Sequence, residues 1–119
     1  LGLSVCYDVR FPELYRKYSK GGAHAFAIPA AFTRPTGQAH WDVLTRARAI
    51  ENQCVVIAAA QTGKHPGGQE TWGHSRIVDA WGRVLAERTG GVGLVWAELD
   101  FDEVRDLRRR MPVLGHRVL

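Results

Sequence analysis

LGLSVCYDVRFPELYRKYSKGG, residues 1–22, predicts a strand, a tight turn and a helix in that order. Residues 2–6 form a short apolar run of the kind found in buried strands. Pro12 suits the first turn of a helix, and Gly21 suits its C-cap. Cys6 therefore falls where a strand ends and a polar turn leads into a helix, which is the arrangement of a nucleophile elbow.

The position of Cys6 favours a reactive thiol. A helix N-terminus that follows a cysteine stabilises the thiolate, which is the nucleophilic form. The backbone N–H after a nucleophile at such an elbow can also stabilise an oxyanion. Position alone leaves a second interpretation open, because a buried cysteine at the end of a strand is common in protein cores.

Strands and helices alternate along the first part of the chain, and strands dominate afterwards. Further strands are predicted at residues 24–29 and 54–61, in a hairpin at 74–87 and at 93–99. Helices are predicted at 38–53 and 100–110, loops at 30–37 and 62–71, and an extended tail at 111–119. This pattern predicts an α/β layered architecture whose buried strands need cover on both faces. Three helices can hardly cover six strands in this way, so a further layer is expected.

Composition and charge restrict the class of protein. The 119 residues are 45% hydrophobic and 24% charged, which is typical of a soluble globular domain or a piece of one. No apolar run approaches the roughly 18 residues of a membrane span, so no membrane association is expected. The net charge is +4, and its main basic cluster is Arg105 with residues 108–110. This cluster suits a helix C-terminus and lacks interleaved aromatic residues, so nucleic acid is not an expected partner.

The spacing of cysteines and histidines indicates neither a metal site nor a cofactor site. Cys6 and Cys54 lie in different contexts without the spacing of metal ligands, and this usage favours a reducing, cytoplasmic setting. Cys54 opens an apolar strand and is expected in the core, and Asp8 is expected to accept a hydrogen bond in the elbow turn. The histidines are scattered along the chain at His24, His40, His65, His74 and His116.

Four segments of the chain closely resemble the nitrilase superfamily, the carbon–nitrogen hydrolases. CYDVRFPELYR (6–16) is similar to the nucleophile motif of that family, and the other segments are residues 29–53, 58–87 and 108–119. Within the superfamily, AFTRPTGQAHW (31–41) and WGHSRIVDAWG (72–82) are most similar to the Nit-type amidase branch. The members of that branch are deaminated glutathione amidases and ω-amidases.

The resemblance implies a four-layer α-β-β-α sandwich and hydrolysis of amides by a Cys-Glu-Lys triad, without a cofactor. By position in the motif, Cys6 is the nucleophile, and the backbone N–H of Tyr7 joins the oxyanion hole. Arg10 resembles the family arginine that binds a substrate carboxylate, for which a guanidinium fork is well suited. Thr33 and Thr36 lie in the loop that lines the substrate pocket in the family, so they are further candidates for substrate binding.

The family pattern also indicates what this sequence is expected to lack. In the family, the triad glutamate and lysine both precede the cysteine, whereas only five residues precede Cys6 here. The three lysines of this chain follow the cysteine, and Glu51 matches a helix that supports the fold and the subunit interface. We therefore expect residues 1–119 to be the C-terminal half of a carbon–nitrogen hydrolase domain, without the triad glutamate and lysine and inactive alone.

The expected activity is hydrolysis of the C–N bond in a small linear amide that carries a carboxylate, through a thioester on Cys6. The first expectation for the substrate is deaminated glutathione or a similar ω-amide, and the alternative is an N-carbamoyl amino acid, with Arg10 holding the carboxylate in both. A non-catalytic alternative is a truncated or oligomerising fragment. The full-length parent is expected to be a homodimer or higher homo-oligomer, with the helix after Cys6 and the helix that contains Trp41 near the subunit interface.

Overall fold

Five strands form the central sheet of the computed structural model, which describes residues 1–118. They lie in the order β1-β2-β3-β6-β7, and β4 pairs with β5 in a separate two-stranded sheet. The strands are β1 (Gly2–Leu3), β2 (Ala25–Ala27), β3 (Val55–Ala58), β4 (Thr62–Lys64), β5 (Glu70–Trp72), β6 (Ser75–Val78) and β7 (Val84–Arg88). The helices are α1 (Pro12–Lys20), α2 (Arg34–Thr36), α3 (Asp42–Asn52) and α4 (Phe101–Arg110). None of these helices is long and apolar enough to cross a membrane.

Three further helical turns complete the described chain. Cys6–Arg10 and Val113–Gly115 are 3₁₀ turns, and Gly37–Trp41 is a π-helical turn that joins α2 to α3. Turns of the π type occur mostly as single interruptions of α-helices, often at functional sites.

The first three strands of the central sheet are parallel, whereas β6 and β7 are each antiparallel to the strand before them in the sheet. Parallel neighbours need crossover connections, which α1 provides between β1 and β2, and α2 with α3 provides between β2 and β3. The turn between β6 and β7 is closed by a hydrogen bond from the Gly82 N–H to the Asp79 carbonyl, at 2.9 Å. The predicted α/β architecture and the predicted hairpin are therefore confirmed.

One face of the central sheet packs against α1 and α3. Phe26 of β2 and Val56 of β3 are fully buried there, together with Tyr15 and Trp41. The Tyr15 ring lies edge-on to Phe26, with 5.0 Å between the ring centroids. The indole N–H of Trp41 donates to the carbonyl of His74 at 2.9 Å, so the start of α3 is fastened to the segment that precedes β6.

The opposite face carries a row of apolar residues that crosses the whole sheet. Successive side chains of a strand point to opposite faces, so the neighbours of Phe26 and Val56 lie on this second face. The row, in register, is Leu3, Ala27, Ile57, Ile77 and Ala86. Helix α4 and the segment before it cover the row at Ile77, but Leu3 is 63% exposed and Ile57 37% exposed. This face is only partly covered, and the further layer expected from the sequence stays a prediction.

The predicted strand at residues 93–99 is wrong, because this segment forms no strand in the structure. Val95 and Leu99 pack against the second face of the central sheet, whereas Leu94 and Trp96 face solvent. The alternation of buried and exposed residues is therefore real. It arises because the segment lies on the face of the sheet, where no neighbouring strand offers it hydrogen bonds.

Other predicted elements differ from the structure in extent. The strand predicted at residues 2–6 ends at Leu3, because Cys6 already begins a 3₁₀ turn. The loops predicted at 30–37 and 62–71 contain α2 and the β4–β5 hairpin, respectively, and Gly-rich composition alone does not distinguish a loop from such a short hairpin. The tail predicted as extended contains the second 3₁₀ turn, and its last residue lies outside the described residues.

Candidate active site

Cys6 follows β1 and begins the turn Cys6–Arg10. Its φ angle is +46°, in the left-handed region that residues with a side chain rarely adopt. Its backbone N–H donates to the carbonyl of Pro29 at 2.7 Å, which fastens the turn to the loop after β2. A strained backbone just after a strand is the geometry of a nucleophile elbow, so the local structure supports the predicted role of Cys6.

The sulfur of Cys6 contacts the loop that follows β2. The backbone N–H of Ala31 donates to this sulfur at 3.5 Å, and the cysteine is a half-buried free thiol. Within residues 1–118, neither a carboxylate nor an ammonium group hydrogen-bonds to the sulfur. The described part of the chain thus places no candidate general base in hydrogen-bond contact with the Cys6 sulfur.

The backbone N–H of Tyr7, which directly follows Cys6, is the oxyanion donor that the sequence predicts. The first hydrogen bond of the turn joins the Asp8 N–H to the Val5 carbonyl at 3.0 Å, so the N–H of Tyr7 precedes it and has no protein acceptor among the described residues. The Asp8 carboxylate accepts from the Val5 N–H at 2.9 Å, as the sequence predicts for Asp8. This bond closes the turn and fixes the position of the Tyr7 N–H, one residue after Cys6.

Arg10 ends the same turn and carries an unmatched positive charge. Its guanidinium carbon lies 5.2 Å from the Tyr7 ring centroid and 5.0 Å from that of Phe32. Its only hydrogen-bond partner in the described chain is Nδ1 of His40, at 3.3 Å, and no carboxylate pairs with it there. Two aromatic faces and one imidazole nitrogen orient the guanidinium, and no carboxylate neutralises it, which suits the binding of a carboxylate.

Thr33 is the N-cap of α2, and Thr36 is the last residue of that helix. Their hydroxyl oxygens are 3.0 Å apart, and the Thr36 hydroxyl also donates to the Thr33 carbonyl at 3.2 Å. Thr33 pairs with Thr71 of β5 through an isolated bridge, so the loop rests on the small sheet. This loop contacts Cys6 through Ala31, whereas no hydrogen bond joins either Thr33 or Thr36 to Cys6 in the described chain.

The second cysteine is far less available for chemistry. Cys54 is fully buried, and burial raises the pKa of its thiol to about 11, despite the opposing influence of the Arg108 guanidinium. A nitrogen of Arg108 lies 3.0 Å from this sulfur and also donates to the carbonyl of Ala23 at 2.8 Å. Cys54 is thus a core residue, as the sequence predicts.

Sequence reasoning missed two residues that contact the elbow turn, His40 and Arg48. His40 is one of five scattered histidines in the sequence, yet it lies on the π-helical turn and contacts Arg10. Arg48 of α3 donates from Nε to the carbonyl of Val9 at 2.8 Å and pairs with Glu51 at 2.7 Å. A basic residue at the buried position of an amphipathic helix was the one signal for Arg48 in the sequence.

An α/β sheet that presents a strained cysteine after a strand defines a protein with a nucleophile elbow. Residues 1–109 match the carbon–nitrogen hydrolase family, and the chain belongs to that family. The predicted membership of the nitrilase superfamily is therefore confirmed.

Known relatives share both the sequence and the fold. The deaminated glutathione amidase of Synechocystis sp. is 55% identical over 118 residues, which cover 99% of this chain and 43% of the relative. The crystal structure of the Caenorhabditis elegans NitFhit protein matches with a TM-score of 0.96 and 53% identity, covering 98% of this chain and 28% of that one. A mutant of the amidase from Nesterenkonia sp., with a covalent addition at its active site cysteine, matches with a TM-score of 0.75 and 32% identity, covering 98% of this chain and 43% of that one.

The matched region is a part of these proteins. The chain spans about two fifths of the length of the first curated relatives, 41% and 43%.

Proposed function

We propose that this chain is the nucleophile-bearing part of an amidase that hydrolyses the C–N bond of a small, linear amide carrying a carboxylate. The observation that carries the proposal is the five-residue turn Cys6–Arg10, which begins with a strained cysteine and ends with an unneutralised arginine. The relatives described above, a deaminated glutathione amidase and an amidase, support the same class of reaction. Deaminated glutathione or a similar ω-amide is the proposed substrate, and an N-carbamoyl amino acid is the alternative.

The proposed reaction passes through an acyl-enzyme on Cys6. The thiolate attacks the amide carbonyl carbon, and the N–H of Tyr7 stabilises the negative charge that develops on the carbonyl oxygen. The C–N bond then breaks, and the nitrogen leaves as ammonia once it has taken up a proton. The acyl group stays on sulfur as a thioester, until water cleaves the C–S bond to give the free acid and return the thiol.

Arg10 supplies the specificity of the proposed reaction. A guanidinium that is already oriented by two rings binds a carboxylate through parallel N–H donors, at little further cost in conformational entropy. Because Arg10 lies on the same short turn as Cys6, a substrate held by its carboxylate presents a nearby carbonyl to the sulfur. Thr33 and Thr36, on the adjoining loop, are proposed to line the pocket.

The general base and the lysine of the triad are proposed to come from outside this chain. Two observations support this: the described residues place no carboxylate or ammonium group on the Cys6 sulfur, and the chain spans about two fifths of its curated relatives. We accordingly propose that residues 1–119 form the C-terminal half of the domain and show no turnover alone. The full-length parent is proposed to be a homodimer or higher homo-oligomer, with α1 and α3 near the interface, and to be cytoplasmic, since both cysteines are free thiols.

Ammonia release from an ω-amide tests the proposal directly. A parent protein that contains this chain should release ammonia, and its Cys6→Ala variant should not. An amide of equal length without the carboxylate serves as the matched control and should be a poor substrate. Turnover that survives Cys6→Ala in the parent would contradict the role of Cys6, and robust Cys6-dependent turnover by residues 1–119 alone would contradict the half-domain proposal.

A further inference from the structure

The turn that carries Cys6 and Arg10 contains one carbonyl that its own sequence cannot satisfy. In a 3₁₀ turn, each carbonyl accepts from the N–H three residues later, as the Asp8 carbonyl does from Phe11 at 2.9 Å. The next carbonyl is that of Val9, and the residue three positions later is Pro12, which has no N–H. Val9 is fully buried, where an unpaired backbone carbonyl is unfavourable.

Arg48 provides the missing donor from a different element. This side chain extends from α3, is only 5% exposed, and donates from Nε to the Val9 carbonyl at 2.8 Å. The two residues are 39 positions apart in sequence, so the bond is a tertiary contact between α3 and the elbow turn. A charged donor in a buried site makes a short and directional hydrogen bond.

The guanidinium of Arg48 is itself fixed by its surroundings. It pairs with the Glu51 carboxylate at 2.7 Å, which balances its charge, and it lies 5.6 Å from the ring centroid of Tyr15. Arg16 of α1 donates to the backbone carbonyl of Glu51, so α1 holds the end of α3 in place. Arg48 thus reaches the turn as a rigid support.

We propose that Arg48 is a positioning residue, which holds the elbow turn so that the Cys6 sulfur and the Arg10 guanidinium keep their relative placement. The bond from the Cys6 N–H to the Pro29 carbonyl fixes one end of the turn, and the Arg48–Val9 bond fixes the other. A left-handed backbone at Cys6 persists only when the surrounding structure enforces it. The importance of this support for catalysis rests on the proposed function, whereas the support itself is a property of the fold.

Arg46 provides a matched control for a test of Arg48. It lies on the same helix and also donates from Nε to a backbone carbonyl, that of Gly82 at 2.9 Å, in the turn between β6 and β7. Arg48→Lys and Arg46→Lys each keep the positive charge and remove the planar fork. The two variants therefore differ in which turn loses its support.

We expect Arg48→Lys to move the amide NMR signals of residues 6–10 and to change the rate at which iodoacetamide alkylates Cys6, because the exposure of the sulfur depends on the conformation of the turn. Arg46→Lys should leave both unchanged and move only signals near Gly82. Peptide mapping separates the alkylation of Cys6 from that of Cys54. Should Arg48→Lys fail to fold, Arg48→Met combined with Glu51→Gln removes the donor without leaving a carboxylate unpaired, and the same two readouts apply.

Unchanged signals at residues 6–10 in a folded Arg48 variant would overturn the proposal, as would equal effects of the Arg48 and Arg46 variants on Cys6. The NMR readout needs no turnover. The two proposals can therefore fail separately. If an Arg48 variant moves these signals but the parent protein releases no ammonia, the positioning role stands and the proposed function is wrong.

Discussion

The backbone N–H of Ala31 points at the sulfur of Cys6, 3.5 Å away. Ala31 belongs to the loop after β2, and Cys6 belongs to the turn after β1. Because β1 and β2 are parallel neighbours, both residues lie at the same edge of the sheet. Sites in sheets of this kind form where the carboxyl ends of parallel strands meet. The contact therefore locates the candidate site at that edge, where the loop after β2 touches Cys6.

Replacing Arg10 should impair recognition of the carboxylate and leave the chemistry intact. Arg10→Lys in the parent amidase keeps the charge but loses the fork, and we expect KM for a carboxylate-bearing amide to rise about tenfold, equivalent to about 1.4 kcal/mol. KM for an amide without a carboxylate should not change. Arg34→Lys is the matched control, because Arg34 also lies over a ring, that of Trp72, but is already paired with Glu70. Equal effects of the two substitutions would contradict the role of Arg10.

The stability of the fold should fall as the pH rises from 9 towards 11, through Cys54. Burial raises the pKa of this thiol from 9.0 to about 11, so the unfolded chain ionises it at a lower pH than the folded protein does. The stability that depends on the protonated thiol is fully present below pH 9 and is lost as the pH passes through 11, by at most about 3 kcal/mol.

Urea unfolding at pH 8 and at pH 10.5 measures this loss. The Cys54→Ala variant should lose less stability than the unsubstituted chain over the same interval, because the other titrating groups are common to both. An identical loss in the two proteins would show that Cys54 does not govern the alkaline limit.

Gly37 should tolerate no side chain. A Cβ there would overlap the Cβ of Trp72, so Gly37→Ala forces the π-helical turn away from β5 and should cost about 3 kcal/mol in the free energy of unfolding. Gly115→Ala is the control, since nothing lies within 4 Å of a Cβ at that position, and its effect should stay below about 0.5 kcal/mol. Denaturant unfolding of both variants checks the difference, and a neutral Gly37→Ala would mean that the packing of this turn on Trp72 is loose.

The partly covered face of the central sheet should cause the isolated chain to self-associate. Leu3 ends the apolar row on that face and is 63% exposed, so Leu3→Glu should shift the chain towards monomer in sedimentation or size-exclusion experiments. Val92, in the loop after β7, is fully exposed at a site outside the row and outside α1 and α3, and Val92→Glu should leave the association unchanged. A chain that is monomeric at all concentrations before substitution would rule out association through this face.

Local sequence patterns were sufficient to predict the strand, turn and helix around Cys6. The order of strand, turn and helix in residues 1–22 follows from Pro12, the apolar run and the terminal glycines, all of which act over a few residues. Helix α3 was likewise predictable, although the π-helical turn before it was not, because one extra residue per turn barely alters the spacing of apolar side chains.

The contacts that support the site could not be predicted in the same way. His40 meets Arg10 across 30 residues of sequence, and Arg48 meets Val9 across 39, so neither pair leaves a local pattern. Residues 93–99 led to the opposite error. This segment packs on the face of the sheet, so its side chains alternate between buried and exposed like those of a strand, although it forms no strand.

The left-handed backbone at Cys6 lowers the stability of the fold at the residue that carries the thiol. Glycine adopts a φ of +46° without steric strain, so Cys6→Gly should raise the melting temperature, with a gain of about 1 kcal/mol, even as it removes the thiol. A screen for thermal tolerance alone would therefore select the loss of the proposed nucleophile. Any effort to make this protein more robust therefore has to keep Cys6 fixed and seek its gains elsewhere in the fold.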